Sequence, residues 1–445
     1  MAERAVSSSG VLRGPPTPEL RREGAAPSIP RARSFVRARA LAPIAVALIA
    51  AGCLDTVSLG EGPPETHGSG DPEIPITGLP TTSGDTDPLP DRDPCSPGPD
   101  TDVDGDGFTP SQGDCDDCDP AIGPDAVELP TREGEASSDE DCDGLIDEAP
   151  TFCDEGLKTG ELSPYSAVRA LDLCQMATPG RWGVVSAAWV LPDGTQAPTG
   201  PKFDVGHGIL PGFGPNMPVR GGARLLSLST GAARLPGDPE FSDLRGLDKG
   251  YTSKPIEGLE ATTACSTSSQ GTPHDAAALE VILRAPQNAD SFAFDFDFYT
   301  FEFPEELCST HDDLFVALLS PPASGPGGTN IAFDGAGNVV SVNSARFEVC
   351  KCSSGPPCVF HGIEYGCGLG ATQLLGTGFG AAPPAEIDHG ATGWLVAEGP
   401  VEPGGLFRVR FAVQDAEDGL NDSTVLLDHF RFRGAPPSVP RAATH

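Results

Sequence analysis

The densest chemistry in this chain is carried by carboxylate oxygen. Between residues 99 and 149, Asp102-Val-Asp104-Gly-Asp106-Gly107-Phe108 leads to Asp114-Cys-Asp116-Asp117-Cys-Asp119, and then to Asp139-Glu-Asp141-Cys-Asp143-Gly144-Leu-Ile-Asp147-Glu148. Carboxylates at alternate positions, with a glycine that lets the chain turn after the third, form the front half of a calcium loop of the EF-hand kind. Counting from Asp102, the twelfth position is Gly113 where that loop places a bidentate Glu, so the closing ligand has to come from Asp114 or farther along. Crowded carboxylates repel one another unless a cation sits among them, which is the physical reason to expect an ion. The alternative is a solvated acidic loop without one. Hard oxygen donors favour Ca²⁺, whereas copper draws on His, Met or Cys, and the segment has neither His nor Met.

Two further sets of acids bear on function. Asp295, Asp297, Glu302, Glu305, Glu306, Asp312 and Asp313 include enough carboxylates for a glycosidase, which needs one acid and one base at a set separation. A solvated strand face or a second calcium site would use the same residues. Farther on, Asp428 shares strand parity with Leu426, Phe430 and Phe432, the apparent core face, where a carboxylate must be hydrogen-bonded or metal-bound. Asp415, Asp418 and Asp422 lie close in sequence, so Asp415, Asp418, Asp422 and Asp428 are a candidate second calcium site. Other chemistries lack their residues: there is no His-Glu-x-x-His, no Gly-x-Ser-x-Gly and no P-loop, and Gly376-Thr-Gly-Phe-Gly380 reads as a turn.

The start of the chain specifies an address. The first 52 residues hold eight Arg, no Lys and three acids, and the uncharged run 41–52 leads to Cys53. Twelve residues are too few to span a bilayer, so 1–52 reads as a signal peptide. Ala50-Ala51-Gly52-Cys53 resembles a bacterial lipobox, which implies a diacylglyceryl group on Cys53, with ordinary cleavage as the alternative. Without this segment the chain keeps 20 basic and 61 acidic residues, a net charge of about −41. A field of that sign repels phosphate backbones and excludes a nucleic-acid partner, and leaves the lipid as the expected contact with membrane.

Twelve cysteines remain, at 95, 115, 118, 142, 153, 174, 265, 308, 350, 352, 358 and 367. An even count in an exported chain points to as many as six disulfides, with free thiols or metal ligands as the alternative. Cys142 can pair with Cys115 or Cys118. The set Cys350, Cys352, Cys358 and Cys367 reads as a stapled loop in preference to a metal knuckle.

The elements that must position these groups are mostly strands. Gly 55 and Pro 47 exclude a helical bundle, and residues 53–98 are a Gly, Pro, Thr, Ser and Asp spacer expected to be disordered. From 150 to 433 the chain reads as a β-sandwich of jelly-roll type, followed by a disordered tail, 434–445. One helix is expected at Pro164–Met176, with Ser163 as its cap and Ala167, Ala170, Leu171 and Cys174 on one face. Phe292, Phe294, Phe296 and Phe298 alternate strictly with Ala293, Asp295 and Asp297, and the phase slips at Tyr299-Thr300, which suggests a bulge. Phe407, Val409, Phe411 and Val413 repeat the alternation.

Two resemblances follow from these residues. The string D-x-D-G-D-G-F, then D-C-D-D and D-C-D-G-L-I-D-E, resembles the MopE-type metal-binding motif of exported bacterial proteins. That family name implies copper, while the ligand chemistry here favours calcium. Phe294-Asp-Phe-Asp-Phe-Tyr-Thr-Phe-Glu-Phe-Pro-Glu305, His311-Asp-Asp-Leu-Phe-Val-Ala-Leu318 and Gln414-Asp-Ala-Glu-Asp-Gly-Leu-Asn-Asp-Ser-Thr-Val-Leu-Leu-Asp428 look like the choice-of-anchor L domain. That resemblance implies an extracellular domain held to cells by varying anchors, with no established activity. The expected function is therefore a surface lipoprotein, calcium-binding and non-enzymatic, whose sandwich binds an extracellular ligand or protein; a secreted carbohydrate hydrolase using the 295–313 acids is the alternative.

The anchor is testable directly. In a bacterium that processes lipoproteins, the protein should take up labelled fatty acid and partition into detergent, and Cys53→Ser should do neither. Equal labelling of the variant would remove Cys53 as the attachment point.

Overall fold

Alternation along the chain dictates where the core lies. Phe292, Phe294, Phe296 and Phe298 project from one side of a single strand and are fully buried, and their rings fill the space between two antiparallel sheets. The computed structural model describes residues 98–438, apart from 132–133, 135, 243–245, 260–264, 266–270, 322–326, 345, 353–354, 356, 361 and 381–388, together with the backbone of 441–442. All of these lie in one compact unit, Asp85–His445. The expected signal peptide, Cys53, Cys95 and the linker up to residue 97 lie outside the described residues. Among the described residues no helix is long and apolar enough to cross a membrane.

The first strands are β1 (Gly183–Val190), β2 (His207–Leu210), β3 (Leu225–Ser229), β4 (Pro273–Arg284), β5 (Ser291–Thr300) and β6 (Leu314–Ser320). Short strands follow: β7 (Thr329–Asn330), β8 (Val340–Ser341), β9 (Val349–Cys350), β10 (Cys358–Phe360), β11 (Ile363–Tyr365) and β12 (Gly390–Ala391). The last are β13 (Leu395–Pro400), β14 (Leu406–Ala416), β15 (Ser423–Arg433) and β16 (Arg441–Ala442). One sheet has the order β1-β4-β14-β6-β7, with β8 also on β6; the other runs β16-β13-β5-β15-β3-β2, with β12 joining β5 to β9. The chain changes sheet at β1–β2, β3–β4, β4–β5, β5–β6, β8–β9, β13–β14 and β14–β15, which is the jelly-roll habit. The fold is thus mainly β and a sandwich, as the sequence predicts.

Rings meet across the gap. Phe294 stands edge-on to Phe411 at 5.0 Å, Phe296 lies 5.1 Å from Phe315, and Phe292 stacks on Phe407 at 5.2 Å. Such contacts add to the burial of 150–250 Å² that each aromatic side chain brings, about. The opposite side of β5 is covered too. Tyr299 and Leu426 enter a second apolar cluster with Phe213, Met217, Leu374, Phe379 and Trp394, so the face carrying Asp295 and Asp297 is buried and not solvated.

The structure corrects four local expectations. The helix α1 is Pro164–Arg169, shorter than Pro164–Met176; Ser163 accepts from the Tyr165 amide as expected, but the chain turns at Asp172 with φ 67°. No bulge occurs at Tyr299-Thr300, where β5 and β15 stay in register through Ser423↔Thr300 and Thr424↔Tyr299. The phase slips because β5 ends there, after which Phe301 joins the outer cluster and Phe303 the inner one. The bulge lies instead between Asp428 and Arg431, with His429 at φ 53°. It separates Asp428 and Leu426, on the outer face, from Phe430 and Phe432, which pack on the inner core. Finally, the tail expected to lack structure returns along β13, pairing Arg441 with Val396 and Ala442 with Leu395.

Phe294→Ala should lower unfolding free energy by about 3–5 kcal/mol, read from denaturant midpoints at unchanged slope. A loss under about 1 kcal/mol would mean that these rings do not share a packed core.

Candidate metal centre

The two acidic strings fold into matching loops. In the first, Asp102 Oδ2 accepts the Gly107 amide at 3.2 Å, Asp104 Oδ1 accepts that of Asp106 at 3.1 Å, and Asp106 Oδ1 accepts that of Phe108 at 2.7 Å. The second repeats the offsets: Asp139 Oδ2 accepts the Gly144 amide at 2.9 Å, Asp141 Oδ1 that of Asp143 at 3.1 Å, and Asp143 Oδ1 that of Leu145 at 2.8 Å. Side chains that bond their own backbone two residues on are the ordinary means by which Asp shapes a turn. The bonds engage both oxygens of Asp102 and Asp139 but only one oxygen each of Asp104, Asp106, Asp141 and Asp143. The Cys115–Cys142 disulfide links the second loop to the segment that follows the first.

Four sets of oxygens lie within 4.8 Å of one another: Asp102, Asp104 and Asp117; Asp104, Asp106 and Asp114; Asp139, Asp141 and Asp143; and Glu128, Asp141 and Glu148. One Ca²⁺ at about 2.3–2.6 Å from each ligand can span such a separation. Asp104 is common to the first two sets and Asp141 to the last two, so the module forms two centres, each organised about the middle Asp of its loop. The residues fit a cation on a further ground. Asp104 Oδ2, Asp114 Oδ2, Asp117 Oδ2 and Glu148 Oε2 are buried without a hydrogen-bond partner, and Asp114 and Asp117 are only 5% exposed. A buried carboxylate oxygen left unpaired is costly. Burial, reinforced by the neighbouring carboxylates, pushes Asp104, Asp106, Asp114 and Asp141 above the usual carboxylate range.

The remaining candidates of this segment stand outside those sets. Asp119 accepts the Ala121 amide at 3.0 Å, Asp147 is held below its usual value by the hydroxyl and amide of Thr131, and Asp116 is exposed. Sequence reasoning missed Glu128. It enters because its Oε1 accepts the Glu140 amide at 2.9 Å and its Oε2 that of Asp147 at 2.7 Å, contacts that follow a chain reversal no local pattern announces. That reversal brings Gly123 against Asp106, where an added Cβ would stand 2.5 Å from Oδ2.

The module is docked on the sandwich. Asn288 accepts the Val127 amide at 3.1 Å and donates to the Val127 carbonyl at 2.7 Å; Asp125, 2% exposed, accepts the Trp182 amide at 2.5 Å. Arg181 donates to the Pro124 carbonyl at 2.6 Å and lies over the Phe108 ring at 5.7 Å.

The other acids are dispersed. Asp295 is bound by Arg220 and Arg431 at 2.9 and 2.8 Å, with His429 at 3.7 Å; burial opposes its charge, but these partners outweigh it and hold the carboxyl at about 2. Asp297 accepts from Thr392 at 3.1 Å, and burial pushes it up to about 7. Asp312 accepts the Asn343 amide at 2.9 Å. Glu306 lies 3.2 Å from His311, and Glu305 shares the same turn. Of the expected second calcium site, Asp415 and Asp422 lie buried at one rim of the sandwich and Asp418 is half-exposed nearby, 3.5 Å from His311. Asp428 is not with them. It pairs in register with Asp295, six residues along β15 from Asp422 and about 20 Å away. There it accepts the amides of Arg220 and His429 at 2.6 and 2.7 Å, and burial, with Asp172 nearby, pushes it up to about 8.

Cysteine chemistry is settled as disulfides for 11 residues. The pairs are Cys115–Cys142, Cys153–Cys174, Cys265–Cys308, Cys350–Cys367 and Cys352–Cys358; Cys118 is also bonded, to a partner outside the described residues. The nested last two make 350–367 the stapled loop that the spacing predicts.

Fold and site together define a disulfide-rich, antiparallel β-sandwich bearing a small acidic loop module. The chain belongs to the choice-of-anchor L domain family, whose model matches residues 211–433, a family typical of exported cell-surface proteins. The sandwich begins before the matched residues, since β1 pairs with β4. No curated protein matches the chain.

Asn288→Ala should cost about 1–3 kcal/mol by leaving the Val127 groups unpaired and should speed proteolysis within 98–149. The sandwich should remain intact. Cleavage at the parental rate would show that the docking does not depend on this residue.

Proposed function

We propose that this chain is a lipid-anchored cell-surface protein, tethered through Cys53, whose acidic module binds two Ca²⁺ ions and whose sandwich binds an extracellular ligand or a neighbouring protein. The observation that carries the metal reading is the set of buried, unpaired carboxylate oxygens at the two matching loops. Asp102, Asp104, Asp106, Asp114 and Asp117 would hold one ion, and Glu128, Asp139, Asp141, Asp143 and Glu148 the other. A bound cation there supplies charge compensation that a module of this size cannot draw from an apolar core. The chain's own residues supply the rest: Asp102 and Asp139 brace the turns, Cys115–Cys142 joins the loops, and Asn288, Asp125 and Arg181 fix the module to the sandwich. Copper is disfavoured by a donor set made of oxygen alone, with Cys115, Cys118 and Cys142 all disulfide-bonded.

Support for the hydrolase alternative is weaker. Asp295, Asp297, Glu302 and Asp313 are at most 1% exposed, whereas a glycosidase acid and base must face a sugar ring in an open cleft.

Calorimetry on the full chain should resolve two module sites for Ca²⁺, one lost in Asp104→Ala and the other in Asp141→Ala. At about 100 times Kd, each ion should add about 2.7 kcal/mol to the stability of the module. Unchanged Ca²⁺ binding in both variants would discard the reading, and stoichiometric Cu²⁺ uptake with Ca²⁺ ignored would replace it with a copper site.

A further inference from the structure

Where the acidic module docks on the sandwich, the two leave a cleft of about 240 Å³ between them. Asp106, Phe108, Gln112 and Asp125 line it from the module, and Arg284 and Gln287, at the end of β4 and in the turn after it, from the sandwich. Pockets that bury drug-sized ligands begin at about 300 Å³ and favour junctions of this kind. The space here suits a ligand the size of a single small ring.

The wall of the cleft carries both signs of charge without joining them. Arg284 donates from Nη1 to the Gly404 carbonyl at 3.2 Å, while its Nε is buried with no partner. Asp125 accepts the Trp182 amide through one oxygen. The charge of Arg284 favours the Asp125 carboxylate, yet among the described residues no ion pair joins the two. Gln287 Nε2 lies 3.5 Å from the Asp106 carbonyl, and its Oε1 faces Gly404, where an added Cβ would stand 2.9 Å away. Gln112 is exposed at the end of the short helical turn Pro110–Gln112. Phe108 and Pro179 add apolar surface, and Arg181, 5.7 Å above the Phe108 ring, steadies that wall.

These groups select among ligands by charge and by hydrogen-bond type. An anion would meet Asp106 and Asp125, and a cation would meet Arg284. A hydroxyl both donates and accepts, so neighbouring hydroxyls can satisfy a carboxylate and a guanidinium or amide at once. A ring with an apolar C–H face completes the match to Phe108. Peptides also donate and accept, but the common mode for an extended chain is pairing along an open sheet edge, which this compact cleft does not offer. We propose that the cleft binds one neutral sugar unit of an extracellular glycan, held by Arg284, Gln112 and Asp125 and packed against Phe108. The proposal rests on the reading that the chain binds an extracellular ligand, and it gives that ligand a chemical class.

The test uses the full chain in CaCl₂ and the methyl glycosides of glucose, galactose, mannose and N-acetylglucosamine, with saturation transfer from protein to sugar read by NMR. At least one glycoside should respond. Arg284→Gln should weaken its binding about tenfold or more, the loss expected when a hydrogen bond to a charged group is removed. Gln112→Ala should weaken it as well, and because that side chain is exposed the variant should melt with the parent. Binding undiminished in both variants would place the sugar elsewhere and overturn the cleft. Silence from every glycoside, or a response from N-acetylalanine amide in their place, would overturn the sugar. Adhesion of the labelled parent chain to whole bacterial cells reads the wider proposal separately: adhesion without any glycoside response condemns the sugar alone, and the absence of both condemns the two together.

Discussion

The domain is built around β5, a strand buried on both sides that carries aromatic rings on one face and carboxylates on the other. Its four phenylalanines supply the inter-sheet core, and this fixes the register of β13 and β15 beside it. The same register forces Asp295 and Asp297 beneath the outer cluster of Phe213, Tyr299, Phe379 and Trp394. A buried carboxylate is tolerated only with partners. Much of the remaining structure provides them.

Three solutions coexist. Asp295 keeps its charge because Arg220 and Arg431 reach it from two segments. Asp297 and Asp428 are pushed toward their neutral forms and take hydrogen bonds from Thr392 and from backbone amides. At the rim, Asp313 accepts from the Ser423 hydroxyl and the Ala416 amide, whereas Asp415 has no hydrogen-bond partner at either oxygen. The acidic module shows the same imbalance on a smaller scaffold, with unpaired oxygens at Asp104, Asp114, Asp117 and Glu148. A segment too small for a large core depends on a disulfide and on its docking partners, and Cys115–Cys142, Asn288 and Arg181 supply these.

Disulfides elsewhere do comparable work on irregular chain. Cys350–Cys367 and Cys352–Cys358 tie a loop that contains the short hairpin β10–β11, and Cys153–Cys174 ties the segment before α1 to the turn after it. Cross-links of this kind shrink the unfolded ensemble more than they add native contacts.

The sequence by itself determined whatever depends on neighbours a few residues apart. Period-two alternation located β5 and β14, Ser163 located the start of α1, and the spacing of Asp102, Asp104 and Asp106 located a turn that gathers oxygens. Cysteine parity indicated disulfides but not Cys142's partner. Tertiary structure alone decided which distant groups meet. A bulge at His429 moved Asp428 to the outer face, a chain reversal brought Glu128 to the second loop, and strand register carried Asp428 away from Asp415 while drawing Glu302 and Asp313 toward it. The physical reason is that a strand's local pattern sets only its period, whereas the phase after a bulge and the company a side chain keeps are fixed by hydrogen bonds to strands more than 100 residues away.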